Sequence, residues 1–372
     1  MILAKKVRLK PTAEQEQQLW KSAGTARWAY NWTLAKQEEN YKNGGKFIPD
    51  GLLRKELTKL KRTRGYLWLS EVSAEIPKQA VKDACAAYIK MFNKQASKPK
   101  FKSRKRAKPA FYSRHDKLKV GVKTAYLEKV GWVKTSEQIP ITDRYSNPRV
   151  FFDGKYWYVS IGLEHKVAKP QLTGEILGID LGLKVLAVCS NGTVFKNINK
   201  TAAVRKTEKR LRKLQRMASR KYEMNKEGSR FTKTCNIVKV EKSIRLLHRK
   251  IANIRTNHVH QTTSAIVKTK PSVVVMEKLN VSGMMKNRHL SKAIAGQKWH
   301  EFVRQMKYKC EKAGIKFIQA SKWFPSSKLC SCCGTIKMNL NLSTRIYECD
   351  CGLKIDRDLN AAINLSKLAS QH

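Results

Sequence analysis

The chain has 372 residues, with 77 Lys+Arg against 28 Asp+Glu and a formal net charge of +49. An excess of this size, spread from Lys5 to Lys367 instead of gathered in a tail, exceeds what solubility requires and points to a polyanionic partner, nucleic acid before a membrane surface. The 41% apolar content allows two or three domains, no stretch reaches the ~18 consecutive apolar residues of a membrane span, and "MILAKKVRLKP" has too short an apolar run for a signal peptide, so a cytoplasmic protein is expected.

In chain order, "AKKVRLKP" alternates as a strand does, and Thr12 with Gln15 three residues on forms a capping box that should open a helix. Helical spacing recurs in Leu53, Leu57 and Leu60 and again in Ile76, Ala80, Ala84, Tyr88 and Phe92, which predicts a helical unit over residues 12–94. Within it Trp28 and Trp32 read as core residues. The stretch Lys94 to Phe111, "KQASKPKFKSRKRAKPAF", has no period and a dense run of charge, and reads as a basic linker ordered by a partner more than by itself. From Phe111 short alternating segments follow, with Asp153-Gly154 as a hairpin turn between two aromatic runs, which predicts a small antiparallel sheet or barrel. That sheet should pair with the strand at Val7 to Leu9, making the helical unit an insertion. A third region opens at "GEILGIDLGLKVLAVCSNGTVF", read as one long apolar strand, an Asn191-Gly192 turn and a second strand. Two basic helices follow, one with Leu211, Leu214 and Met217 as its apolar stripe and one with Ile237, Val240, Ile244, Leu247, Ile251 and Ile254. Strand "SVVVMEKL", a helix at "WHEFVRQMKYKCEKAG", strand "IKFIQA", a cysteine segment and a last helix from about Asp358 complete an α/β layer.

The acids are few, so those placed in apolar strands are informative. Asp180 lies inside "ILGIDLGLKVLAV" and Glu277 ends "VVVMEK"; an unpaired carboxylate there costs several kcal/mol unless something positive compensates it. With Asp358 at the opening of the C-terminal helix, three carboxylates could converge at strand ends and hold divalent cations. Two such ions serve phosphodiester hydrolysis, and magnesium fits few carboxylates, waters and a substrate phosphate. Gly178 and Gly182 would let a phosphate backbone approach. Asp356, two residues before Asp358, competes for the third position, and the helix start favours Asp358. Four of the nine cysteines are scattered and five crowd between Cys330 and Cys351, a metal pattern and not a disulfide framework. Cys330 and Cys333 have C-x-x-C spacing, Cys349 and Cys351 have one residue between them, and Cys332 is spare. A closed four-cysteine site suits a structural zinc that folds the insert and leaves no open position for catalysis. Ala361 and Ala362 would let the last helix pack closely on the sheet.

The set "GIDLG", "VVVMEKLNVSGM", "WFPSSKLCSCCG" and "CGLKIDRDLNAAINL", in this order, resembles the TnpB family of insertion-sequence-encoded RNA-guided nucleases related to compact type V CRISPR effectors. With the N-terminal "RWAYNWTL" and the basic "KPKFKSRKR", the resemblance covers nearly the whole chain. It implies a multidomain α/β plus β protein. A RuvC-like, RNase H-fold nuclease domain (173–325 and 353–372) would carry a zinc-binding insert (326–352). A wedge-type β-barrel (1–11 and 111–172) would carry an inserted helical recognition domain with the basic linker (12–110). Asp180, Glu277 and Asp358 would be the catalytic triad, binding two Mg²⁺ or Mn²⁺, and Cys330, Cys333, Cys349 and Cys351 would bind Zn²⁺. Guide RNA and target DNA are the implied partners, a membrane is not, and a monomer is the expected state. Base pairing would read the target while the protein reads a short flanking motif. Lys78 and Gln79 are candidates for that motif; Lys98, Lys100, Arg104, Arg210, Arg220 and Lys221 are candidates for nucleic-acid contacts. The departure from the family pattern is the Cys349-x-Cys351 spacing. The alternatives are an RNA-independent transposase using the same carboxylates and a nuclease-inactive DNA-binding regulator.

Overall fold

A computed structural model of the chain describes residues 1–142, 144–165, 171–341 and 344–369. Residues 166–170 and 370–372, which fall in the expected 111–172 and 353–372 segments, lie outside the described residues, as do 143, 342 and 343. Two compact units result, Met1–His165 and Lys166–His372.

In the first unit β1 (Ile2–Lys10) is followed by α1 (Ala13–Lys42), α2 (Asp50–Leu60) and α3 (Glu75–Phe92). Then come β2 (Ala110–Tyr112), β3 (Lys119–Gly121), β4 (Thr124–Leu127), β5 (Gly131–Thr135), β6 (Ser146–Phe152) and β7 (Trp157–Glu164). Thr12 caps α1 as expected: its hydroxyl accepts from the Gln15 amide at 3.3 Å, and the Gln15 side chain accepts from the Thr12 amide at 3.1 Å. The sheet runs in the order β2-β6-β7-β1-β5-β4-β3, so β1 sits at its centre and the three helices are inserted between β1 and the strands it joins. β1 pairs with β7 along most of its length and passes to β5 at Leu9 and Lys10. Among the described residues the pairings leave β2 and β3 as edges. Val7 and Leu9 of β1, Val159 and Ile161 of β7 and the apolar faces of α1 and α3 share one core. Asp153-Gly154 is the turn between β6 and β7, with Gly154 at φ 98°. Phe92 departs from the expected stripe: it is exposed, because α3 ends there with its ring against Phe47 and Tyr88 instead of under the sheet. Trp28 is half-buried, its ring 6.2 Å from that of Trp32 and 5.2 Å from that of Trp68.

The second unit begins with β8 (Ile176–Leu181), β9 (Val185–Cys189) and β10 (Val194–Lys196). The apolar run read as one long strand is therefore a hairpin, bent at residues 182–184, with the Asn191-Gly192 turn leading into β10. Next come α4 (Ala202–Met224), the short ribbon β11 (Lys226–Glu227) and β12 (Arg230–Phe231), and α5 (Cys235–Lys268). They are followed by β13 (Val273–Met276), α6 (Val281–Met284), α7 (Ser291–Gln297), α8 (Trp299–Lys312) and β14 (Lys316–Gln319). Last are β15 (Ile346–Glu348), β16 (Lys354–Asp356) and α9 (Arg357–Ala369). The main sheet has the order β10-β9-β8-β13-β14, antiparallel on the hairpin side and parallel from β8 through β13 to β14. On α4 the buried stripe is Val204, Thr207, Leu211 and Ala218, while Met217 is exposed; the helix is rotated so that α5 covers the side that begins at Val204.

The pleat decides which residues face which layer. Leu177, Ile179 and Leu181 of β8 and Val274 and Met276 of β13 pack with Val259 and Ile266 of α5 and Phe302 and Met306 of α8. The residues between them, Gly178 and Asp180 on β8 and Val275 on β13, face the other side, where Val275 packs with Leu365 of α9.

Candidate functional site

Asp180 and Glu277 reach the same end of the sheet through strand register. Met276 pairs with Ile179 in the parallel β8–β13 ladder, so Asp180 and Glu277 are the next residues on neighbouring strands, both on the α9 side. Asp358 comes to the same edge because α9 lies against β8 at close range. A Cβ placed on Gly178 would meet the Ala362 carbonyl oxygen at 1.9 Å and the Ser366 nitrogen at 2.6 Å. The glycine is needed for helix packing and not, as expected, for the approach of a phosphate. Ala361 and Ala362 are buried at this contact, as their size predicts. Beside it a Cβ on Gly182 would lie 4.0 Å from Asp358 Oδ2.

Asp180 is 8% exposed, and burial, then the charges of Asp358 and Glu277, hold its carboxyl well above the usual range against the opposing pull of Arg357. Burial also raises Glu277. The Arg357 guanidinium lies 3.9 Å from Asp358 Oδ1, so the cationic member of "DRD" belongs to this site, a role that sequence reading missed although the adjacency was visible. Asp356 adds to the negative charge at Asp180 and also caps the last helix. Its Oδ1 accepts from the amides of Asp358 at 2.9 Å and Leu359 at 3.1 Å, capping α9. Among the described residues only four cysteines bring three or more His, Cys, Asp or Glu ligand atoms within 4.8 Å of one another, so the three carboxylates do not form a closed cage. Oxygen donors gathered at one edge with excess negative charge fit hard divalent cations that keep water and phosphate ligands.

The cysteine cluster is Cys330, Cys333, Cys349 and Cys351, and Cys332 is outside it and exposed. Cys330 Sγ lies 3.6 Å from Cys351 Sγ, and Cys333 Sγ lies 3.6 Å from Cys349 Sγ. Tetrahedral zinc with Zn–S near 2.3 Å requires S···S of about 3.8 Å, so the cluster fits a zinc ribbon. Each pair sits in a hydrogen-bonded turn, one residue shorter at the second pair: the Gly334 amide donates to the Cys330 carbonyl and the Gly352 amide to the Cys349 carbonyl, with both glycines at positive φ. With all four sulfurs within 4.8 Å of one another, the one-residue spacing of the second pair is no obstacle.

The basic candidates are dispersed. Lys78 pairs with Glu75 at 3.3 Å, and the Gln79 amide donates to Asp83 at 2.9 Å, which itself holds Arg149 at 2.6 Å. Lys98 pairs with Glu38 at 3.1 Å, and Lys100 and Arg104 are exposed. Arg210 and Arg220 are exposed on α4, Arg220 beside Arg212, Gln215 and Arg216 along a shallow open groove, while Lys221 is half-buried. Within the basic linker Lys102 is anchored to the first helix. Asn31 brackets the Lys102 backbone with bonds of 2.9 and 2.8 Å, and the Lys102 ammonium lies 3.4 Å over the Tyr30 ring. Sequence reading also missed the outer face of the first sheet. Phe151 and Tyr158, opposite one another on β6 and β7, stack at 5.7 Å and 20°; Lys6 lies 3.8 Å over Tyr158 and Lys108 3.6 Å over Phe151. Strand alternation in "VFFDGKYWYV" against "AKKVRLK" is the signal that could have found it.

A carboxylate-edged α/β sheet joined to a four-cysteine ribbon defines the class of scaffold. Three family models match the chain: "Helix-turn-helix domain" of the OrfB_IS605 type over residues 1–46, "Probable transposase" over 159–288 and "Cas12f1-like, TNB domain" over 299–365. The first of these segments folds here as a strand and one long helix. The chain is 31% identical over 384 residues to "Putative RNA-guided DNA endonuclease InsQ" of Escherichia coli (strain K12), covering 99% of this chain and 92% of that one. It is 32% identical over 369 residues to "Putative RNA-guided DNA endonuclease" of Streptomyces pristinaespiralis, covering 97% and 87%. Its fold resembles that of Cas12f1 in a complex with sgRNA and target DNA, with a TM-score of 0.58 at 17% identity over 95% of this chain and 82% of that one. The chain belongs to the TnpB family. Among the described residues no helix is long and apolar enough to cross a membrane.

Proposed function

We propose that this chain is an RNA-guided DNA endonuclease whose second unit is a RuvC-like nuclease domain and whose first unit combines a wedge-type sheet with an inserted helical recognition domain. The observation that carries the reading is the convergence of Asp180, Glu277 and Asp358 at one sheet edge, where burial of Asp180 is unfavourable without a cation. These three residues would hold Mg²⁺ or Mn²⁺, which in pairs supply an activated hydroxide and stabilise the leaving oxygen of a phosphodiester. The chain's own contribution is to hold the carboxylates apart on rigid elements and to set Arg357 beside Asp358. Guide RNA and target DNA account for the charge of +49. The exposed arginines of α4 and the ring-and-cation face of the first sheet are the surfaces offered to phosphates and to unstacked bases.

The test is purification of the protein with its bound nucleic acid, sequencing of the RNA, and cleavage of a matching DNA target with Mg²⁺. Asp180→Ala, Glu277→Ala and Asp358→Ala should each abolish cleavage while leaving RNA binding near wild type. Absence of bound RNA together with strand transfer would favour a transposase, and RNA binding without cleavage by the unaltered chain would leave a regulator.

A further inference from the structure

α9 carries two asparagines one turn apart, Asn360 and Asn364, 0% and 2% exposed. Neither belongs to the carboxylate edge, and neither is needed to pack the helix on the sheet, which Ala361, Ala362 and Leu365 do. Their amides face the cysteine segment instead. Asn360 Oδ1 accepts from the Ser331 amide at 3.0 Å, inside the first cysteine turn, and its Nδ2 donates to the Leu329 carbonyl at 2.7 Å. Asn364 Nδ2 donates to the carbonyls of Ser326 at 2.8 Å and Leu329 at 2.7 Å, and Lys367 donates to the Ser331 carbonyl. The second cysteine turn reaches the same helix by another route. It runs through β16, whose last residue Asp356 caps α9, and the Arg357 amide donates to the Arg345 carbonyl at 2.8 Å. The start of α9, with Asp358 on it, is thus held between the two arms that the four sulfurs join.

We infer that the cysteine site is a positioning device for the carboxylate site: Asn360 and Asn364 transmit the closed geometry of the ribbon to α9 and so fix where Asp358 stands. This goes beyond a zinc that only folds its own insert, and it rests on the carboxylate reading proposed above. The helix would stay on the sheet without the ribbon, because its apolar contacts are independent of it. What would be lost is its axial rotation and the height of its first turn, to which a divalent ion sharing Asp180, Glu277 and Asp358 is sensitive. Asn360 and Asn364 are positioning residues and touch no reacting atom.

The experiment measures Mn²⁺ affinity of the full-length protein from the free-ion EPR signal, well below the melting temperature. Zinc content is determined in parallel. Asn360→Ala and Asn364→Ala should weaken Mn²⁺ binding by about 10-fold or more, the effect usual for groups that orient metal ligands, while zinc stays at the wild-type level. Wild-type protein stripped by a zinc-selective chelator, then desalted, should lose as much, and stripping Asn360→Ala should add little. Thr263→Val, which removes buried hydrogen bonds on the opposite face of the sheet, should lower the melting temperature without changing Mn²⁺ affinity. Unchanged Mn²⁺ affinity in both asparagine variants and in stripped wild type would overturn the coupling alone. Mn²⁺ binding that survives Asp180→Asn would overturn the carboxylate site and the coupling with it. Should Asn360→Ala fail to fold, the stripped wild type and Asn364→Ala decide the question.

Discussion

At Asp180 burial and two neighbouring acids make a charge unfavourable. Its folded carboxyl is raised by burial and by the neighbouring Asp358 and Glu277, so between the ordinary carboxylate range and that raised value the native state holds more protons than the unfolded chain. The contribution of Asp180 to the stability of the metal-free protein then falls as pH rises through that window and stays lower above it. Asp180→Asn should remove this contribution and raise the melting temperature of the metal-free protein at pH 8. Mg²⁺ should raise the melting temperature of the wild type more than that of the variant, and scanning calorimetry with and without Mg²⁺ checks both. The proposed function separates the two aspartates of "DRD" at the same scale. Asp356→Ala removes a helix cap, at a cost of about 1 kcal/mol, and should keep substantial cleavage, whereas Asp358→Ala should lose it. Cleavage lost at Asp356 and kept at Asp358 would reverse the assignment.

Elements set these residues through fit. Gly178 exists for α9: an added methyl meets backbone atoms on a helix, which no rotamer change relieves. Gly178→Ala should therefore push the helix outward, with the 1–3 kcal/mol cost typical of overpacking, and should weaken Mn²⁺ binding along with stability. Gly182→Ala, whose nearest neighbour is 3.2 Å away, should be much milder. In the ribbon, Cys330→Ser or Cys349→Ser should lower both zinc content and melting temperature, while Cys332→Ser should change neither, since its sulfur is outside the cluster. Equal zinc loss in Cys332→Ser, measured by metal analysis, would mean that the ligand set is wrong.

Over the whole molecule the charge of +49 acts as a field, and its use should appear as salt dependence. Replacing Arg210 and Arg220 together by glutamine should reduce the slope of log affinity for RNA against log salt by about 2, uniformly across sequences. Gln79 is different, because its amide is already engaged by Asp83, within the Asp83–Arg149 pair. If it reads the flanking motif, Gln79→Ala should change which flanks support cleavage in a randomised library. An unchanged preference would assign its amide to holding Asp83 and move motif reading to the sheet.

Local patterns were enough to determine much of this protein by sequence alone. The capping box at Thr12, the glycine turns at residues 154 and 192, the cysteine pairs and the acids in apolar strands each depend on a few neighbouring residues, so chain order exposes them. Tertiary structure decided what depends on registry between distant segments. The run around Asp180 became two strands because residues 182–184 bend, and the pleat then put Asp180 and Glu277 on the face of α9. The purpose of Gly178, the rotation of α4 that exposes Met217 and the attachment of Asn360 and Asn364 to the cysteine turns follow from partners far away in sequence. A residue's type limits what it can bond to, but only the packed layers determine which atoms come within reach.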